Sequence, residues 1–254
     1  AIMADNDLIW MIFTPQCFDL FTKFDIENFI NDGCAATVIS KLLGYAIIGG
    51  SFALKIPQIV KIMSAKSGAG LSVLSLIIES LGFLVTTAYF YRQGYPASTY
   101  GESPIIFIQN MIILLMIFAY NANEKPSNQF ILGLLFVIGY SGLFVLSMTD
   151  YVPMMIIQQI YAANILIVLG SRVPQIYAIY SAGSTGANAF ITWFLNFGGA
   201  LARLFTTLQE VDDIMALGVI CVSVAMNGII VLQFIIYWNA DVAADKKLKK
   251  KKKQ

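Results

Sequence analysis

The sequence contains no histidine, has only three cysteines among its 254 residues, and is only 12% charged. Without histidine there is no imidazole to act as a general base or as a metal ligand. The cysteines lack the spacing of a metal site, and no glycine-rich phosphate loop follows a strand. The carboxylates form no pair suited to glycosyl transfer. We therefore expect no enzyme activity, no metal, no cofactor and no nucleic-acid partner.

Long apolar runs take the place of the missing charge. Hydrophobic residues make up 58% of the chain and the mean hydropathy is +0.73, whereas a soluble domain is about half apolar and about a quarter charged. The runs are as long as a transmembrane helix requires and do not alternate as a transmembrane strand would. This pattern predicts an all-α membrane protein with seven transmembrane helices. The predicted spans are 36–60, 70–91, 103–121, 129–148, 153–180, 187–209 and 214–238.

Basic residues are concentrated on one side of these spans. The segment 239–254 contains seven lysines. Since loops rich in lysine and arginine stay in the cytosol, this tail is predicted to be cytosolic, and the acidic segment 1–35 to lie on the lumenal or external side. Cys17 and Cys34 fall in that segment. The sequence leaves open whether they form a disulfide or remain two thiols.

The chain matches itself at an offset of 117 residues, and the matched residues are small or polar. Chance matches of proline, glutamine, glycine and asparagine are rarer than matches of leucine or isoleucine in an apolar chain, so the offset indicates an internal repeat. The matched pairs are Lys55 with Arg172, Pro57 with Pro174, Gln58 with Gln175, Glu79 with Asn196, Gly82 with Gly199, and Asn110 with Asn227.

The repeat predicts the domain organisation. Three helices in 36–121 form the first repeat, a single linker helix lies in 122–152, and three helices in 153–238 form the second repeat. Three spans reverse the direction of the chain and the fourth restores it, so both repeats are predicted to run parallel through the membrane. In transporters of this kind the substrate path usually lies between the repeats.

The two Pro-Gln motifs resemble those of the PQ-loop family, which is distantly similar to the sugar-transporting SWEET proteins. Further likeness lies in 66–72, in 198–203 and in 237–240, followed by the lysine-rich tail. These stretches are most similar to the branch of the family that serves dolichyl-phosphate-linked sugars. The resemblance implies a multi-pass protein of the endoplasmic reticulum membrane.

The Pro-Gln motifs are candidate hinges. Proline removes a backbone donor and bends a helix, and bent or unwound helices in transporters form hinges and binding points. Alternatively, the prolines simply end the helices. Their repetition favours a hinge in each repeat, made by Pro57, Gln58, Pro174 and Gln175.

Ionisable and amide side chains within the spans are candidates for the substrate path or for headgroup contacts. Lys55 and Arg172 either bind phosphate or extend towards the lipid headgroups, and the second interpretation is favoured. Glu79 either has a functional role or is a hydrogen-bonded residue in the packing of the helices, and the sequence favours neither interpretation. Arg203 either pairs with Glu210 or contacts an anion. The remaining candidates are Asn196, Asn110 and Asn227, of which the last two are favoured as contacts between helices.

The resemblance implies a role in the lumenal use of dolichyl-phosphate-mannose and dolichyl-phosphate-glucose, in N-glycan precursor and GPI-anchor assembly. The chain would move this donor lipid or present it to glycosyltransferases. Lys251 and Lys252 fit a dilysine retrieval signal of the endoplasmic reticulum, although a polybasic tail also attracts anionic lipids. The alternative function is transport of a small solute, an amino acid or a sugar, with Glu79 as a candidate for proton coupling.

Overall fold

All regular structure is helical in the part of the chain that the computed structural model describes. The described residues are 9–68, 71–122, 128–185 and 190–238. This agrees with the all-α prediction made from the apolar runs. The predicted cytosolic tail, with Lys251 and Lys252, lies outside the described residues.

The helices follow one another through short connections, and a 3-10 turn lies at Ala97–Thr99. In chain order they are α1 (Pro15–Thr22), α2 (Ile26–Asn31), α3 (Cys34–Leu54), α4 (Ile56–Ala65), α5 (Val73–Arg92), α6 (Glu102–Ala122), α7 (Asn128–Ser147), α8 (Met154–Ala182), α9 (Phe190–Glu210) and α10 (Ile214–Ile236). The chain divides into two compact units, one ending at Tyr161 and the other beginning at Ala162, and this boundary falls within α8.

The segment before the first long helix is folded and covalently tied. Helix α1 begins after Thr14, whose hydroxyl accepts a hydrogen bond from the Cys17 N–H at 3.3 Å. Helix α2 begins after Asp25, whose carboxylate accepts one from the Asn28 N–H at 3.2 Å. A disulfide joins Cys17 to Cys34, with the two Cα atoms 5.3 Å apart. It fixes α1 to the first residue of α3.

In the first unit α6 packs against α3, α5 and α7, and α3 comes close to the backbone of the 3-10 turn. A Cβ atom added to Gly44 of α3 would contact the Ser98 carbonyl oxygen and lie 2.9 Å from the Ser98 Cβ. Real Cβ atoms are not found that close to another heavy atom, so only glycine fits at this crossing.

The second unit is built on the pairing of α9 with α10. Its core lies where the C-terminal part of α8 meets these two helices. The buried residues of this core are Ile179, Trp193, Ile230, Val231 and Phe234. The core brings the region of the second Pro-Gln motif against the other two helices of the second predicted repeat.

Six helical segments of the described ranges are long and apolar enough to cross a membrane. They are Cys34–Ala65, Val73–Arg92, Glu102–Tyr120, Phe130–Ser147, Met154–Ala182 and Ile214–Ile236. The remaining predicted span, 187–209, corresponds to α9, a 21-residue helix that is not among the six. Polar side chains such as Asn196, Arg203 and Glu210 lower its hydropathy. The seven-span count therefore stays a prediction.

Candidate functional site

Polar side chains from three helices meet inside the first unit, and we call them the Lys55–Glu79–Asn110 cluster. The Lys55 Nζ donates to both carboxylate oxygens of Glu79, at 3.0 and 2.9 Å. The Asn110 Nδ2 donates to Glu79 Oε2 at 3.1 Å. The cluster thus links the end of α3 to α5 and α6. Because an unpaired charge is costly in hydrocarbon, this pairing explains how a lysine and a glutamate are both accommodated there.

The cluster retains hydrogen-bonding capacity. Asn110 is fully buried, yet its Oδ1 accepts no hydrogen bond from any described residue. The Lys55 side chain is 14% exposed and the Glu79 side chain 40% exposed. A buried amide oxygen that lacks a donor costs about 1–3 kcal/mol. A polar ligand with a hydroxyl or N–H group would find an accessible carboxylate at Glu79.

The first Pro-Gln motif coincides with a break in the helix. Helix α3 ends at Leu54, and α4 begins at Ile56 with Pro57 in its first turn. The last carbonyls of a helix lack intrahelical donors. Here the Gln109 side-chain amide of α6 donates to the Ser51 carbonyl at 3.1 Å and to the Phe52 carbonyl at 2.8 Å. A side chain from another helix thus caps the end of α3.

The second Pro-Gln motif lies inside a continuous helix. Helix α8 runs through Pro174 without interruption. The 117-residue offset places Met226 where the first repeat has Gln109, and a thioether cannot donate to free carbonyls. In the second unit the Gln233 amide of α10 donates to the Ile176 carbonyl at 2.9 Å, two residues beyond the proline. The second repeat therefore lacks the donor that caps the opened helix in the first.

The basic residue of the second motif has an aromatic partner. The guanidinium carbon of Arg172 lies 4.8 Å from the centroid of the Trp193 ring. Trp193 is buried in the core of the second unit. Such a cation–π contact stabilises an arginine without neutralising its charge. Lys55 and Arg172, which correspond in sequence, thus have chemically different partners.

The other candidate residues are not gathered at one point. Asn227 is buried, and its Nδ2 donates to the Ser223 carbonyl of its own helix at 2.8 Å. Asn196 is exposed and Arg203 half-buried, both on α9. Among the described residues, no three His, Cys, Asp or Glu side chains lie together as a metal site would need.

The sequence analysis missed Gln109 and Trp193, and it did not pair Lys55 with Glu79. Gln109 carried a signal, because an amide inside a strongly apolar helix needs a partner. Trp193 carried none, since an aromatic residue in a predicted span is usually a packing residue. The ion pair joins residues 24 positions apart on different helices, a distance that helical periodicity does not reach.

Two comparisons with known proteins bear on this arrangement. The PQ loop repeat family matches the chain twice, over residues 39–99 and 157–215. Human solute carrier family 66 member 3 is 30% identical over 204 residues, which covers 80% of this chain and 96% of that protein. Each family match contains one of the Pro-Gln motifs and begins within the first helix of a predicted repeat.

Proposed function

Since this chain belongs to the PQ-loop family of membrane proteins, we propose that it handles a donor lipid. The lipid is dolichyl phosphate carrying mannose or glucose, and the chain makes it usable in the lumen of the endoplasmic reticulum. It does so by moving the headgroup across the membrane or by presenting it to glycosyltransferases. The role is that of a transporter-like protein and not of an enzyme.

The observation that supports this proposal is the Lys55–Glu79–Asn110 cluster between apolar helices. A sugar-phosphate headgroup needs charged and amide partners to enter hydrocarbon, whereas a polyisoprenyl chain needs only apolar surface. The outward faces of the described helices offer such a surface. Leu132 and Val145 of α7 are exposed, as are Leu166 of α8 and Ile235 of α10.

The choice of donor lipid rests on sequence likeness. The segments 66–72, 198–203 and 237–240 resemble those of the mannose-P-dolichol utilization defect 1 protein. The lysines at 251 and 252 would act as a cytosolic retrieval signal for the endoplasmic reticulum. The disulfide between Cys17 and Cys34 is consistent with an N-terminal segment in an oxidising lumen.

A second candidate function is transport of a small solute. It is favoured by the name of the human relative, which is a solute carrier. In that case Glu79 is the candidate for coupling transport to protons, and Glu79→Gln should abolish transport of the solute. A protein that only presents a lipid does not need this carboxylate for coupling.

The test is the size profile of lipid-linked oligosaccharides in cells depleted of this protein. We expect precursors that lack the lumenally added mannoses and glucoses to accumulate while synthesis of the donors continues. Expression of the intact chain should restore the profile, and Lys55→Met should not. Lys61→Met, at an exposed lysine of α4, is the matched control and should restore it. A normal profile after depletion would refute the proposal and leave the solute carrier as the better account.

A further inference from the structure

The two repeats differ in how they compensate a positive charge. At the 117-residue offset Lys55 corresponds to Arg172, but Glu79 corresponds to the uncharged Asn196. The first repeat therefore contains a closed ion pair, with Lys55 Nζ 2.9 Å from Glu79 Oε2. The second repeat has retained the cation and lost the carboxylate.

The partner of Arg172 is an aromatic face. The offset places Trp193 where the first repeat has Leu76, and both side chains are buried. A guanidinium over an indole ring uses its planar face and leaves its N–H groups, which lie in the plane, open at the edge. Among the described residues no carboxylate pairs with Arg172.

We propose that Arg172 binds the anionic phosphoryl group of the substrate. Lys55 already has a carboxylate partner in Glu79, whereas Arg172 has none among the described residues. This inference rests on the proposed function, because it assigns the headgroup of the donor lipid to a particular residue. Arg172 is half-buried. A half-buried guanidinium group is stabilised by an anion that accepts two parallel hydrogen bonds from it. Trp193 holds the guanidinium in place for this contact.

Trp193 also provides the measurement. The chain has three tryptophans, so Trp10→Phe with Trp238→Phe leaves Trp193 as the only one. The full chain in lipid nanodiscs is titrated with farnesyl phosphate while the fluorescence of Trp193 is recorded. We expect a saturable change with farnesyl phosphate and none with farnesol, which has the same chain without the phosphate.

Substitutions then test the role of Arg172. Arg172→Gln removes a charged hydrogen-bond donor and should weaken binding of farnesyl phosphate roughly 10- to 100-fold. The matched control is Lys61→Gln, which removes one positive charge at an exposed position of α4. It should leave the affinity within about threefold of the unsubstituted chain, well below the effect of losing a charged hydrogen bond. Unchanged affinity in Arg172→Gln, or an equal loss of affinity in Lys61→Gln, would overturn the inference.

Competition identifies the source of the phosphoryl group and keeps this inference separable from the proposed function. Inorganic phosphate and glucose 6-phosphate are added against bound farnesyl phosphate. If only polyisoprenyl phosphates bind with useful affinity, both the inference and the lipid role are supported. If soluble phosphates compete equally well and Arg172→Gln abolishes their binding, the anion site stands and the donor-lipid proposal fails. If no phosphate binds, the inference fails whatever the oligosaccharide profile shows.

Discussion

Replacing Gln109 with methionine should destabilise the first unit through the end of α3. Gln109 is buried, and its amide donates to the carbonyls of Ser51 and Phe52 at 3.1 and 2.8 Å. Methionine has nearly the same length and no donor. It is also the residue that the second repeat has at the corresponding position, Met226.

The expected size of the effect follows from these two bonds. Leaving a buried acceptor without its donor costs about 1–3 kcal/mol. Gln109 Oε1 is itself buried without a partner among the described residues, and methionine removes that penalty. The net loss corresponds to about one unsatisfied acceptor, so we expect the free energy of unfolding to fall by about 1–3 kcal/mol, measured by denaturant titration in mixed micelles.

To test whether the cost of Gln109→Met arises from the interrupted helix, the substitution is repeated in a chain that also carries Pro57→Ala. Alanine restores the N–H at position 57, which in a helix donates to the Ala53 carbonyl, and so allows α3 to continue. The N–H groups of Lys55 and Ile56 can then donate to the Ser51 and Phe52 carbonyls. In this background Gln109→Met should cost less than about 1 kcal/mol, which makes the two substitutions strongly coupled.

Gln233→Met is the matched control. Gln233 donates to Ile176, whose carbonyl lies inside the continuous helix α8. This carbonyl also has the helical N–H of Tyr180, so we expect a smaller loss than for Gln109. An equal cost of Gln109→Met with and without Pro57 would refute the idea that the glutamine caps an opened helix.

Three further outcomes are expected. Cys17→Ser opens a disulfide with a sequence separation of 17 and should lower the free energy of unfolding by about 3 kcal/mol, with reductant having no further effect on the variant. Gly44→Ala should lower the melting temperature because a Cβ there meets backbone, whereas Gly50→Ala, with no heavy atom within 4 Å of its Cβ, should not; equal effects would contradict the packing. Hydrogen bonds from the Asn28 side chain and then its backbone lower the pKa of the Asp25 carboxyl, so the associated stability is present above the unfolded pKa and is lost as the pH falls through the folded one. Asn28→Ala should raise the pKa of Asp25 in an NMR titration.

Helices that consist of one apolar run were predicted closely from the sequence. The span predicted at 129–148 is observed at Asn128–Ser147, and the span predicted at 214–238 at Ile214–Ile236. In such runs the chain must form all its hydrogen bonds internally, so apolar length determines the helix. Apolar length did not place the disruption at Lys55, which the sequence indicated only through Pro57 as a candidate hinge or helix end. Gln109, which caps it, lies more than 50 residues away in the chain and was missed.

The candidate site was predicted as residue types and not as contacts. The internal repeat, and the free-energy cost of burying polar groups in apolar spans, indicated Lys55, Glu79 and Asn110 one by one. Their meeting depends on the rotation and depth of three helices, which neither hydropathy nor the repeat determines. The polar residues of α9 were visible in the sequence. The internal repeat predicts that this helix crosses the membrane, whereas its hydropathy is too low for a span by that criterion. Its role as a transmembrane helix stays a prediction.

The interruption at Lys55 also changes how each repeat fits a bilayer. The segment Cys34–Ala65 has 32 residues and Met154–Ala182 has 29, so at 1.5 Å per residue both exceed the roughly 30 Å hydrocarbon layer and have to tilt, bend or extend into the headgroups. The first segment is divided at Lys55 and can adjust the angle between α3 and α4. Helix α8 is continuous and has to tilt as a whole. The two repeats should therefore respond differently to membrane thickness.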